Sequence, residues 1–176
     1  GVKLSCLVEE KPLGTAGGVK NAESHLDGTF AVFSGDVLTD INLSKALSFH
    51  KQKGSMATIV LTRVSDPTDY GIVITKEDGR IKSFLEKPGW GEVFSDTINS
   101  GIYILEPEVL KHVRTDMEFD FSKNLFPALL ELGEPLYGYA ADGYWCDIGN
   151  PLQYLQANHD ALLGRLKVKI PGRETN

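Results

Sequence analysis

The sequence predicts an α/β fold: a mostly parallel sheet covered by helices, with a small antiparallel section. Three observations predict it. Apolar strand-like runs alternate with amphipathic helical stretches through the first half, an order that builds a parallel sheet under helices. In the middle, two strand-like runs are joined by Glu77-Asp78-Gly79, a hairpin signal that makes this part antiparallel. Finally, 176 residues fit one domain with a single core of respectable size.

Apolar alternation and β-branched residues mark strands at Lys3–Val8, Phe30–Ser34, Ala57–Val64, Gly71–Thr75, Ile81–Leu85, Thr97–Leu105 and Pro135–Ala140. The first helix is expected over Ala16–Leu26, where Thr15 offers a side-chain oxygen to the first-turn amides. A second, Leu43–Lys53, opens at Asn42 and stops at Gly54, with Leu43, Ala46, Leu47 and His50 on one face. Asp120 or Ser122 starts a third over Lys123–Leu132, closed by Gly133. Pro151 occupies the first turn of the fourth, Leu152–Leu163, which ends at Gly164. The domain is expected to span 1–165. The stretch 166–176, with Pro171-Gly172 and no helical period, reads as a linker leading out of it.

An apolar fraction of 41% and a charged fraction of 24% are those of a soluble globular protein. The net charge of −6, with no Lys/Arg cluster, excludes a nucleic-acid backbone as partner. A nucleotide remains possible, because a small phosphate site needs only local amides, a cation and one lysine. Cys6 and Cys146 make neither a disulfide framework nor a zinc site, and read as reduced thiols of a cytoplasmic protein. No membrane span and no signal peptide are visible. The chain starts Gly1-Val2-Lys3, without Met and inside its first expected strand, which reads as a fragment.

Several segments bear residues suited to chemistry. Phe30-Ala31-Val32-Phe33-Ser34-Gly35-Asp36 is an apolar strand ending in a carboxylate, where open α/β sheets bind ligands; a turn-forming Asp is the alternative. Asp147, within Tyr144-Trp145-Cys146-Asp147-Ile148-Gly149-Asn150-Pro151, sits among aromatic and apolar residues. There a carboxylate needs a partner, either helix amides or a metal. Two such carboxylates at element ends suit Mg²⁺, which takes one or two carboxylates plus substrate phosphates. Leu13-Gly14-Thr15-Ala16-Gly17 is a glycine-rich turn running into a helix, either a ligand-approaching turn or an ordinary loop. It matches neither a Walker loop nor a dinucleotide fingerprint. Glu86 and Lys87, at the end of Phe84-Leu85-Glu86-Lys87-Pro88, suit sugar hydroxyls and a phosphate, or form a solvated pair. Asn99-Ser100-Gly101 inside a strand indicates a bulge or a close backbone approach. His25, His50, His112 and His159 fall on helical patterns with no nucleophile beside them, so no covalent-catalysis constellation is present.

In this order, six strings resemble the sugar-1-phosphate nucleotidylyltransferase family. They are Glu10-Lys11-Pro12-Leu13-Gly14-Thr15-Ala16-Gly17, Phe33-Ser34-Gly35-Asp36, Asp69-Tyr70-Gly71, Phe84-Leu85-Glu86-Lys87-Pro88, Asn99-Ser100-Gly101-Ile102-Tyr103 and Trp145-Cys146-Asp147-Ile148-Gly149. The turn and the Trp-Cys-Asp-Ile-Gly-Asn-Pro segment are most similar to those of mannose-1-phosphate guanylyltransferases. The resemblance implies a Rossmann-like core with helices on both faces, and transfer of a nucleoside monophosphate from an NTP to a sugar 1-phosphate with release of pyrophosphate. GTP and mannose 1-phosphate are the favoured pair. The alternatives are a glucose-1-phosphate uridylyl- or thymidylyltransferase, and a non-catalytic regulatory subunit that binds a nucleotide-sugar.

By the same resemblance Asp36, Lys87 and Asp147 are catalytic, and Asp36 and Asp147 hold Mg²⁺. Leu13, Gly14, Thr15, Ala16, Gly17 and Gly35 contact the nucleotide. Gly71, Glu86, Lys87 and Asn99 contact the sugar phosphate. Relatives form dimers or larger assemblies, so a homo-oligomer is implied. The family's N-terminal Gly-x-Gly-Thr-Arg loop and its following Lys-Pro pair do not occur in this sequence. The expectation is a sheet incomplete at the N-terminus, a chain inactive alone, and an exit at 166–176 towards a β-helix.

Overall fold

The structure, a computed structural model, describes residues 1–86 and 95–169, with the side chain of Glu86 left out. Among these residues the strands are β1 (Phe30–Phe33), β2 (Val37–Thr39), β3 (Ala57–Arg63), β4 (Gly71–Thr75), β5 (Ile81–Glu86), β6 (Thr97–Leu105), β7 (Leu136–Ala140) and β8 (Trp145–Asp147). The helices are α1 (Gly14–Asn21), α2 (Leu43–Lys53), α3 (Phe126–Glu131) and α4 (Pro151–Leu162).

β6 organises the main sheet. One of its edges carries β3, which passes on to β7; the other is shared by β4 near its start and β1 near its end. The β3–β7 ladder is parallel, whereas β6 pairs antiparallel with β1, β3 and β4, and β5 antiparallel with β4. Hence β1, β3, β4 and β7 run one way, and β6 and β5 the other. The expected parallel preference survives in strand direction, while β6, lying between β1 and β3, makes most hydrogen-bonded ladders antiparallel. The outer edge of β1 has no partner among the described residues.

Alternation along β3 and β6 builds two cores, one on each face of the sheet. Ile59, Leu61, Tyr103 and Leu105 meet Ala16 of α1 and Phe126 and Leu129 of α3 on one side. Val60, Ile102 and Ile104 meet Ala46 of α2 on the other. Helices therefore cover both faces. α2 follows its caps as expected: Asn42 Oδ1 accepts from the Lys45 N–H at 3.2 Å, and Gly54 takes φ 56°. Asp120 is the residue that starts the third helical segment, through a single π-type turn at Phe121–Leu125 that runs into α3. Asn150 caps α4.

Three expectations are corrected. Lys3–Val8 alternates like a strand but forms none; it pairs with no strand among the described residues, and Val2, Leu4 and Val8 are more than 80% exposed, so no apolar face of it is buried. α1 ends at Asn21, followed by a separate 3-10 turn at Glu23–His25, and Thr15 does not cap it, because α1 already starts at Gly14 and the Thr15 hydroxyl oxygen accepts the Phe121 N–H instead. The two-stranded sheet of β2 and β8 is absent from the sequence reading, since three-residue strands form only through their tertiary pairing.

Candidate functional site

The sequence places an apolar strand before Ser34-Gly35-Asp36, and the fold turns that into a cavity wall. A cavity of about 820 Å³ runs along β1, lined among others by Gly14, Thr15, Gly35, Asp36, Tyr103 and Phe121. Asp36 is exposed, and its carboxylate has no hydrogen-bond partner among the described residues. β2 carries the chain from Asp36 into a ladder with β8, with Val37 opposite Asp147, and the Ile148 N–H donates to the Asp36 carbonyl at 2.8 Å. The two candidate metal carboxylates, 111 positions apart in sequence, thus lie one strand step from each other. Asp147 is half-buried, and its Oδ1 accepts the Gly149 N–H at 2.8 Å, so its partner is a local amide rather than the start of α4. Tyr70 stands beside it, its ring edge-on to Trp145 at 5.6 Å. Burial first, and then the Asp147 charge, push the Tyr70 hydroxyl pKa above its ordinary value.

Asp36, in the turn before β2, and Asp147, at the end of β8, are donors of the kind Mg²⁺ takes together with phosphate oxygens. No group of three or more His, Cys, Asp or Glu able to cage a metal by themselves occurs among the described residues.

The glycine-rich turn is shaped mainly by Phe119. Gly14 has φ 73°, and a Cβ there would meet the Phe119 carbonyl oxygen at 2.7 Å. The Ala16 and Gly17 N–H groups donate to that carbonyl at 2.9 and 3.0 Å, and Leu13 N–H donates to Glu9 Oε2. Of the turn residues expected at the nucleotide, Gly14 and Thr15 face the large cavity together with Gly35. Leu13 and Gly17 border a smaller one of about 200 Å³, and Ala16 is buried.

A cavity of about 300 Å³ gathers Gly71 and Asn99 with Ser122, Lys123 and Pro127. Glu86 ends β5 directly opposite Gly71, so its backbone reaches the same rim. Lys87 and the side chain of Glu86 lie outside the described residues. Asn99 sits at an irregularity in β6, where Ile59 faces Tyr103 but Leu61 faces Asn99. The bulge expected around Ser100 is therefore present. Gly101 takes φ 74°, and the group approaching it is the Ser34 side chain, which a Cβ would meet at 2.6 Å. Asn99 Oδ1 accepts the Gly101 N–H at 3.0 Å, while its Nδ2 donates to Ser122 Oγ and Tyr103 OH at 3.0 and 3.1 Å.

Tyr103, Phe121, Ser122 and Lys123 line these cavities but were not expected from the sequence as site residues. The usable signal was Asp120 as a helix starter: residues just past a cap form the first turn and share its position at a cavity rim. Cys6 and Cys146 are free thiols, and His50 is buried, bonded to Thr58 and Glu106. No helix of the described residues is long and apolar enough to cross a membrane.

Known proteins match this arrangement. The chain is 41% identical over 170 residues to a UTP–glucose-1-phosphate uridylyltransferase of Synechocystis, which covers 93% of this chain and 44% of that protein. It is 37% identical over 166 residues to a mannose-1-phosphate guanylyltransferase of Mycobacterium tuberculosis, covering 93% and 46%. The crystal structure of HddC from Yersinia pseudotuberculosis complexed with GMP-PN superposes with a TM-score of 0.74 at 27% identity, over 88% of this chain and 65% of that one. The chain spans less than half the length of these two curated relatives. The model of the family described as nucleotidyl transferase matches residues 1–163, and the chain belongs to that family.

Proposed function

We propose that this chain carries the sugar-phosphate pocket and the metal carboxylates of a sugar-1-phosphate nucleotidylyltransferase, with GTP and mannose 1-phosphate as its substrates. The observation that supports this reading is the β2–β8 ladder, which pairs Val37 with Asp147 and so brings the backbone of Asp147 next to that of Asp36, a residue of the large cavity's lining. In such a transfer the sugar-phosphate oxygen is itself the nucleophile, so the protein has to position two anions and offset their charge. That agrees with the lack of a general-base constellation. Asp36 and Asp147 would hold Mg²⁺, which supplies charge neutralisation at the phosphates. Thr15, Gly14 and Gly35 border the space for the nucleotide. Asn99 and the Gly71 backbone border the space for the sugar; Glu86 and Lys87 are the further sugar and phosphate contacts of this reading, with Lys87 and the Glu86 side chain outside the described residues.

The guanylyltransferase name of the Mycobacterium relative supports the GTP and mannose pair. A specific observation favours a second reading, glucose 1-phosphate with UTP: the Synechocystis relative of that name is 41% identical. Titration calorimetry of this chain with Mg²⁺ and GTP, UTP or dTTP, and with mannose or glucose 1-phosphate, separates them. Tighter binding of GTP and mannose 1-phosphate is expected. Preference for UTP or dTTP overturns the pair, and binding of none of them overturns the functional reading.

A further inference from the structure

We propose that Asp120 is a positioning residue that couples the nucleotide cavity to the sugar cavity, an inference that rests on the functional reading above. Its two carboxylate oxygens serve opposite sides. Oδ2 accepts the Thr15 hydroxyl at 2.8 Å, and that hydroxyl oxygen accepts the Phe121 N–H at 3.0 Å. Thr15 and Phe121 both line the large cavity. Oδ1 accepts the Ser122 and Lys123 N–H groups at 2.8 and 3.0 Å, and those two residues line the smaller cavity.

A helix cap needs one oxygen only. The Oδ2 bond to a residue 105 positions away is what capping leaves unexplained. The connection continues past Asp120. Asn99 Nδ2 donates to Ser122 Oγ on the sugar side and to Tyr103 OH on the nucleotide side. The Tyr103 ring packs on Phe121 with centroids 4.8 Å apart. Thr15, Asp120, Ser122, Asn99, Tyr103 and Phe121 therefore form one closed wall between the cavities.

Backbone contacts stiffen its hinge: Phe119 O accepts from Ala16 and Gly17, and Phe119 N–H donates to Leu13 O at 2.8 Å. A ligand that seats against Thr15 fixes the Asp120 carboxylate, whose charge-assisted bonds in turn fix the Ser122–Lys123 turn. The second ligand then meets a pocket already ordered, which is positive coupling in its thermodynamic sense.

The experiment measures mannose 1-phosphate affinity by calorimetry, with and without saturating GTP and Mg²⁺, in the 176-residue chain and in four variants. The same cycle is run with glucose 1-phosphate and UTP. In the wild type the nucleotide is expected to tighten sugar-phosphate binding by about 5-fold or more. That ratio falls towards 1 in Asp120→Ala and in Thr15→Val, and is kept in Thr15→Ser. Asp120→Asn retains the cap acceptor and keeps part of it. A purely structural role lowers both affinities or the melting temperature and leaves the ratio alone. Thr15→Val preserves the cap, so the test stands even if Asp120→Ala fails to fold. An unchanged ratio in Thr15→Val, or a wild-type ratio of 1, overturns the proposal while the functional reading stands. A wild-type chain that binds neither ligand of either pair overturns both.

Discussion

The two cavities are held in opposite ways. Around the smaller one, the polar wall residues are tied down: Asn99 to Ser122, Tyr103 and Gly101, and Ser122 and Lys123 by their amides to Asp120. Behind these stands an aromatic cluster in which Phe126 packs on Tyr103, Phe121 and Phe84 at 4.9, 5.5 and 6.2 Å. The larger cavity is bounded instead by the edge of β1 that has no partner among the described residues, with Phe33 46% exposed and the Asp36 carboxylate free of hydrogen bonds to those residues. The smaller cavity is thus preorganised by the chain itself. The larger one presents charge and leaves its ordering to what binds there.

Breaking the supported side gives the largest expected effect. Phe126→Ala removes a fully buried ring and leaves a void among three other aromatics. A loss of about 3–5 kcal/mol is expected, read as a fall of roughly 6–20 °C in a thermal melt. A loss under about 1 kcal/mol would mean that the wall does not lean on this cluster.

Asp36→Asn sharpens the contrast from the open side. An exposed carboxylate without partners contributes little to folding, so the melt should stay within about 0.5 kcal/mol of the wild type. Mg²⁺-dependent nucleotide affinity should fall by about 100-fold, at or beyond the range for residues that support metal ligands. Unchanged affinity in Mg²⁺ would remove Asp36 from the metal site. Asn99→Ala stands between the two. It leaves the Gly101 N–H and Ser122 Oγ without their partner, which costs about 1–3 kcal/mol, and should weaken sugar 1-phosphate binding by about 10-fold.

How much of this was legible in the sequence divides along the same line. Strands with their own pattern were found with nearly correct ends: β4 as Gly71–Thr75 and β6 as Thr97–Leu105 coincide with the expectation. Asn42, Gly54 and the Glu77-Asp78-Gly79 turn act over a few residues, so local chemistry decides them. Asp36 was legible as a strand-end carboxylate and Asp147 as one just before a helix, both at element ends and suited to a shared Mg²⁺, and the family resemblance gave them the same role. What failed depends on partners far along the chain. Lys3–Val8 has the alternation of a strand but pairs with no strand among the described residues. Thr15 has the chemistry of a cap, yet it lies inside α1, and its hydroxyl oxygen accepts the distant Phe121 N–H while its proton goes to Asp120. β2 and β8 are too short to carry a pattern and exist through each other. Ser122 and Lys123 reach the sugar cavity only because α3 packs back against the sheet.

The smallest expected effect tests whether the far end of the sheet is independent of both cavities. Glu106 follows β6 at the end away from Asn99, accepting from Thr29 Oγ1 at 2.8 Å and bonded to His50 Nε2 at 3.0 Å. Burial pushes its carboxyl pKa up, but the hydrogen bonds from His50 and Thr29 outweigh it, and the net shift is downward. A carboxylate with a depressed folded-state pKa contributes stability above its ordinary range, and that contribution is lost as pH falls through the depressed value. With the side chain one-third exposed, the contribution is under about 1 kcal/mol. The wild type should therefore melt slightly above Glu106→Gln near pH 7, and the gap should close as pH drops below the ordinary carboxylate range. Sugar-phosphate and nucleotide affinities should not change in this variant, because Thr29, His50 and Thr58 touch neither cavity wall that carries Asp36 or Asn99. A shift in either affinity would show that β6 transmits along its whole length, and the two ends of the sheet would then have to be treated as one unit.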